Sequence, residues 1–237
     1  MRDIPDKSID AIITDLPYGS TQCKWDVVIP FEPMWEQYNR IIKDRGVICL
    51  FNTEPFGSYL RLSNLKNYKY DWVWDKVKGT GFLNAKKQPM RYHELISVFY
   101  KKQCTYNPQM TSGHPPVHTY TKHTSDGECY GKTKIGVSGG GSTKRYPRSI
   151  QVFSTDTQKS SLHSTQKPVA LIEYLIKTYT NPGDLVLDSC AGSMTLAVAA
   201  MNTGRNYICI EKDPEIFEIG KKRVEDRYER FSKCLSE

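Results

Sequence analysis

Leu185-Val186-Leu187-Asp188-Ser189-Cys190-Ala191-Gly192-Ser193-Met194-Thr195 runs from a short apolar stretch through an acidic residue and small residues into the helix-forming segment Thr195 to Asn202. It reads as a buried strand feeding a helix through a tight turn. Small residues in such a turn let a ligand approach the backbone and the helix N-terminus. The next strand, Tyr207-Ile208-Cys209-Ile210, is closed by Glu211, 23 positions beyond Asp188. An acidic residue roughly 20 positions after the turn can accept hydrogen bonds from ribose hydroxyls. The Gly-x-Gly-x-x-Gly of a nicotinamide dinucleotide site is missing. Asp188 would repel a pyrophosphate, yet it suits the cationic methionine end of S-adenosylmethionine. Alone, the turn serves helix packing equally well; with Glu211 in register, the nucleoside-cofactor reading leads.

Working outward, a second strand end carries chemistry. Ile9-Asp10-Ala11-Ile12-Ile13-Thr14 is β-branched and apolar, and it ends in Asp15-Leu16-Pro17-Tyr18-Gly19. An exocyclic amine of a nucleobase is a poor nucleophile, because its lone pair is delocalised into the ring. The Asp15 carboxylate and the Leu16 carbonyl can accept its two N–H bonds and favour the pyramidal geometry that attack requires. Pro17 stiffens the loop, and Tyr18 offers a face for an extruded base. An isolated tetrapeptide of this kind fits an Asx-type turn with a core tyrosine at least as well. The placement of both segments at carboxyl ends of strands, the ligand edge of an open α/β sheet, favours the chemical reading.

Between and beside them, helices are predicted from Met34 to Lys43, Pro55 to Leu65, Pro168 onward and Pro214 to Arg230, and strands over Gly46–Phe51, Tyr70–Trp74 and Leu95–Tyr100. Alternating strands and helices predict a mostly parallel sheet covered on both faces. From Lys102 to Ser161 the pattern dissolves into Pro, Gly, Ser, Thr and His, too long for an ordinary loop. Nine Lys/Arg against three Asp/Glu lie between Lys101 and Ser160, most of the +7 net charge of the 237 residues. That surplus suits a polyanion partner, or a solvated loop with incidental charge.

No apolar run approaches the roughly 20 residues of a membrane span, and the polar start is no secretory signal, so a cytoplasmic protein is expected. The seven cysteines show no C-x-x-C spacing and the five histidines are scattered, so neither a disulfide framework nor a metal is expected. Trp25-Asp26 could shape a base pocket. Phe82 to Lys87, Arg91 to Glu94, and Tyr106, Tyr120, Tyr130 and Tyr146 set aromatic beside basic residues and could touch phosphates or stack. Each reads equally as solvated surface.

Taken together, these motifs resemble those of the β-class amino-methyltransferases of DNA, over nearly the whole chain. Asp15-Leu16-Pro17-Tyr18 is similar to their D-P-P-Y motif, with Leu16 for the first Pro. Asp188 to Thr195 is similar to their D-x-x-x-G-S-G-T loop, with Met194 for the second Gly. His163-Ser164-Thr165-Gln166-Lys167-Pro168 resembles H-P-T-Q-K-P, with Ser164 the departure. The resemblance implies an α/β fold: a Rossmann-like, S-adenosylmethionine-dependent methyltransferase sheet, circularly ordered, with an inserted irregular recognition segment. It implies a catalytic half over 1–101, a target-recognition insertion over 102–161 and a cofactor-binding half over 162–237. Asp15, Leu16, Pro17 and Tyr18 would be catalytic. Thr165, Gln166, Lys167, Asp188, Ala191, Gly192, Ser193, Thr195 and Glu211 would hold S-adenosylmethionine.

The family usually sets a strand and helix before the catalytic strand, whereas only eight residues precede Ile9 here. Either this sequence starts late or the sheet lacks an edge strand, and weakened cofactor binding is the expectation. The leading Asp15 implies adenine N6 as the target, with cytosine N4 and a catalytically silent DNA-binding homologue as rivals. A NAD-dependent dehydrogenase is disfavoured by the absent glycines. DNA is the expected partner, and the resemblance allows a homodimer and a cognate restriction enzyme.

Overall fold

The computed structural model describes residues 1–23, 26–123, 126–127, 131–132, 135–155 and 166–235. Trp25, Cys129, Tyr130, His163, Ser164 and Thr165 therefore lie outside the described residues. The chain divides into two units, one of residues 1–107 with 149–237 and one of residues 108–148.

The larger unit is built on a seven-stranded sheet. In chain order its strands are β1 (Ile9–Asp15), β2 (Ile42–Asn52), β3 (Tyr68–Thr80), β4 (Arg91–Phe99), β9 (Ile150–Val152), β10 (Leu185–Asp188) and β11 (Asn206–Cys209). Their spatial order is β11-β10-β1-β2-β4-β3-β9. The strands run parallel except β4, which pairs antiparallel with both β2 and β3. β1 lies beside β10, so the first strand of the chain sits inside the sheet, third from one edge, against a strand from its last quarter. This is the circular order expected of the methyltransferase sheet.

Period-two alternation sends each strand's apolar residues to both faces. Ala11, Ile13, Val47, Cys49 and Phe51 pack with helices α3 (Val169–Tyr179) and α4 (Thr195–Thr203). Ile9, Ile12, Ile48 and Leu50 pack with α1 (Phe31–Ile41) and α2 (Phe56–Ser63). Burial on both faces explains why the central strands read as continuous apolar runs rather than alternating ones. Each buried Ile or Leu contributes about 1.5–3 kcal/mol against exposure. α5 (Pro214–Leu235) closes the chain.

β2 and β4 begin four residues before the predicted starts, at Ile42 and Arg91, and two further strands depart more from the sequence reading. β3 extends to Thr80 because backbone pairing with β4 continues past the aromatic run, through a register shift between Asp75 and Thr80. Ile150–Val152, inside the segment read as irregular, joins the sheet as an edge strand parallel to β3. Three residues with two exposed side chains carry too little apolar pattern to announce a strand.

The smaller unit has β5 (Tyr120–Thr121) paired antiparallel with β8 (Ser138–Gly139), and β6 (Asp126–Gly127) with β7 (Gly131–Lys132). Thr111 and Arg145 bridge further down the same antiparallel arrangement. Gly140 has φ +120°, and a Cβ there would lie 2.4 Å from Thr119 Cα, so only glycine fits.

Candidate active site

β1 and β10 run side by side, so Asp15 and Asp188 end neighbouring strands at one edge. The Thr14 hydroxyl donates to Asp188 Oδ1 at 2.6 Å, and the Cys190 N–H donates to the same oxygen at 3.0 Å. Burial nonetheless pushes the Asp188 carboxyl up to about 7, against these hydrogen bonds and with the nearby Asp15 and Glu211 carboxylates adding to the rise. Three carboxylates thus converge on this edge, a field that favours a cation.

At Asp15 the arrangement is ionic. The Tyr18 hydroxyl donates to Asp15 Oδ1 at 2.5 Å. Lys167 Nζ donates to Asp15 Oδ2 at 2.6 Å and lies 3.2 Å from Glu94 Oε2. Lys76 Nζ reaches the other oxygen of Glu94 at 3.3 Å. The Lys167 ammonium also sits 5.2 Å from the Phe51 ring centre and 5.9 Å from that of Trp74. Burial alone would lower its pKa, but Asp15 and Glu94 outweigh that and raise it. Burial, then Asp15 and Glu94, push the Tyr18 phenol well above its ordinary value, so it stays a donor.

Leu16 is buried and Pro17 half-buried, anchoring the loop. Beyond Tyr18 the loop is organised by Asp26, whose carboxylate accepts the N–H groups of Gly19, Ser20 and Thr21 at 2.7–2.8 Å. Burial would raise the Asp26 carboxyl, but the Thr21 side chain and these backbone donors hold it below its ordinary value. Beside Tyr18 opens a cavity of ≈ 480 Å³ whose lining includes Phe31, Phe56 and Tyr59. The Tyr18 and Phe56 rings are 5.2 Å apart.

The turn after Asp188 is held by hydrogen bonds and packing. The Gly192 N–H donates to Glu211 Oε2 at 2.8 Å, and the Asp213 N–H to Oε1 at 2.9 Å. The Ala191 N–H donates to the Ile210 carbonyl. Met194 adopts φ +56°, a left-handed conformation costing a non-glycine residue about 1–2 kcal/mol. Its side chain is buried with Ala191 and Ala197. Gly220 on α5 makes room, since a Cβ there would lie 2.8 Å from Met194 Cγ. One turn on, Arg223 Nη1 donates to the Ser193 carbonyl (2.8 Å), the Ser193 hydroxyl (3.2 Å) and the Thr195 hydroxyl (3.1 Å). The Tyr38 hydroxyl bonds Ser189 Oγ at 2.6 Å.

Residues 9–222 match the N6_N4_Mtase family model, described as DNA methylase. The chain belongs to this family of DNA methylases. The methylase is 27% identical to the DNA adenine methyltransferase YhdJ of Escherichia coli, over 95% of this chain and 79% of that protein. It is 29% identical to the type II methyltransferase M1.MboII of Moraxella bovis, over 90% of this chain and 87% of that one. Among solved structures, the M1.HpyAVI–SAM complex superposes with TM-score 0.58 at 27% identity, covering 91% of this chain and 88% of that one. The cytosine-N4-specific PvuII methyltransferase, 14% identical, shares the fold with TM-score 0.62, covering 97% of this chain and 87% of that one.

Of the residues singled out from the methylase's sequence, Asp15, Tyr18 and Lys167 come together, as do Asp188, Gly192 and Glu211. Gln166 is buried, and its Oε1 has no partner among the described residues. Lys167 projects onto Asp15 and Glu94. Ser193 and Thr195 turn their hydroxyls toward Arg223. Sequence reasoning missed Thr14, Lys76, Arg223 and the ion-pairing role of Glu94. Only Gly220, three positions before Arg223 on a helix, hinted at close contact with α5.

Proposed function

We propose that the chain is a site-specific DNA methyltransferase acting on adenine N6, with S-adenosylmethionine as methyl donor. The hydrogen bond from Thr14 to Asp188 carries this reading, because it ties the strand end bearing Asp15 to the strand end bearing the small-residue turn. Bound S-adenosylmethionine supplies a methyl group on a cationic sulfur. The residues present fit it: the converging carboxylates suit a cation, and Gln166 Oε1, without a partner among the described residues, can accept a hydrogen bond.

On the substrate side, the aromatic cavity beside Tyr18 suits an extruded planar base. Asp15 receives one N–H of the amine and the Leu16 carbonyl the other, localising the lone pair. A carboxylate has about four acceptor sites, so the bonds from Tyr18 and Lys167 leave room for this. Asp15 then takes the proton released after attack. Gly192, Asp188, Ala191 and Glu211 would border the donor, with Ser193, Thr195 and Gln166 behind or beside them. Six Lys/Arg against two Asp/Glu in residues 108–148 support phosphate contacts by that unit.

Adenine is favoured by the leading Asp15 and by similarity to an adenine methyltransferase. Similarity to type II enzymes supports a role beside a restriction enzyme. The test is tritium transfer from labelled cofactor to unmethylated bacterial DNA, followed by mass spectrometry of the nucleosides. N6-methyladenine is expected. N4-methylcytosine would overturn the base assignment, and no incorporation would overturn the enzyme.

A further inference from the structure

Lys167 is wedged between two carboxylates from different strands. Asp15 ends β1, and Glu94 projects from β4 opposite Trp74 of β3. Glu94 is itself held from behind by Lys76, so the order of charges is Asp15, Lys167, Glu94, Lys76. A lysine carries a flexible four-carbon stem and a point charge with three rotatable donors. One anchor would leave its ammonium free to pivot. Two anchors and two ring faces define its position, and with it the orientation of the Asp15 carboxylate.

We infer that Glu94 is a positioning residue for methyl transfer: by sharing the buried Lys167 ammonium with Asp15, it fixes the carboxylate that receives the substrate amine. The inference rests on the reading of Asp15 given above. Near-attack geometry is sensitive, with displacements of about 1 Å costing on the order of a hundredfold. Glu94 has a second effect. Lys167 faces Asp15 from β1, Glu94 from β4, and the uncharged rings of Phe51 on β2 and Trp74 on β3; Tyr18 and Lys76 lie one contact further out. Taking away Glu94 removes one of the two charges that keep Lys167 protonated, so Lys167 should lose its proton at lower pH.

The test uses the full chain with tritiated cofactor and unmethylated bacterial DNA. For Glu94→Gln we expect kcat to fall about ten- to hundredfold, cofactor Kd by calorimetry to stay within about twofold, and the alkaline limb of kcat to move to lower pH. Glu94→Asp should restore the limb toward that of the unaltered protein. If Glu94→Gln melts early, the pair Lys76→Met with Glu94→Gln removes one charge of each sign and should show the same low kcat and shifted limb. Unaltered kcat and pH profile in the folded variant would overturn the inference. Asp15→Asn separates the two readings: if it is inactive while Glu94→Gln is normal, only this inference fails; if it remains active, the reading of Asp15 fails.

Discussion

The two strand ends joined by Thr14 and Asp188 are held in different ways. At the end of β1, Asp15 is fixed by charge, through Lys167, Glu94 and Lys76. At the end of β10, the turn is fixed by backbone donors to Glu211, by Arg223, and by Met194 packed where Gly220 leaves space. The first arrangement orients the Asp15 carboxylate through an ion pair. On the proposed reading, the second shapes backbone around the cofactor and leaves Asp188, raised to about 7, able to ionise when the cation binds. A site that directs an amine needs a fixed charge, whereas one that accepts a cation gains from a responsive charge.

The largest effect that would break this contrast is at Asp15. Asp15→Ala should cut methyl transfer by about a thousandfold or more, measured as tritium incorporation, with DNA binding by filter retention largely kept. Retained turnover would remove the charged strand end from the mechanism. Next comes Lys167→Met, which leaves Asp15 and Glu94 without their shared cation. A loss of about 3–5 kcal/mol of stability is expected in urea unfolding, since a buried charge is left uncompensated. A change near zero would mean that the pair is not buried in solution.

At the other strand end the readout is pH. A carboxyl raised above its unfolded value binds a proton in the folded state between about pH 4 and 7, so it opposes stability as pH rises through that window. A cationic ligand favours the ionised form. Cofactor affinity should therefore rise with pH up to about 7, by at most about tenfold per unit, and then level. Calorimetry across pH 5–8 should show that slope in the parent protein and none in Asp188→Asn; equal slopes would assign it to another group.

The smallest effect concerns the packed turn. Gly220→Ala forces a methyl against Met194, costing about 1–3 kcal/mol and recovering about 1 through helix propensity. In a Met194→Gly background that cost should shrink. A double-mutant cycle by urea unfolding should give a coupling of about 0.5–1 kcal/mol, and full additivity would show that the two do not touch.

Much of the fold was legible because both faces of the sheet are buried. Continuous β-branched runs such as Ile9 to Thr14 and Gly46 to Phe51 announce strands, and Val169, Ile172 and Ile176 announce a helix. β9 was not legible, since three residues at an edge bury little. At the candidate site, local motifs pointed to Asp15, Tyr18, Asp188 and Glu211. Nothing in the local pattern around Glu94 or Arg223 links them to residues 73 and 30 positions away along the chain.

By itself, then, the sequence determined which segments bury themselves, where strands give way to tight turns, and which acidic residues stand at those turns. These follow from short-range periodicity and turn chemistry. The tertiary structure alone decided that Thr14 of β1 bonds Asp188 of β10, that β4 runs backward to bring Glu94 to Lys167, and that α5 supplies Gly220 and Arg223 to the turn. Partners far apart in the chain meet only when strands pair and helices pack, and no local preference encodes which ones will.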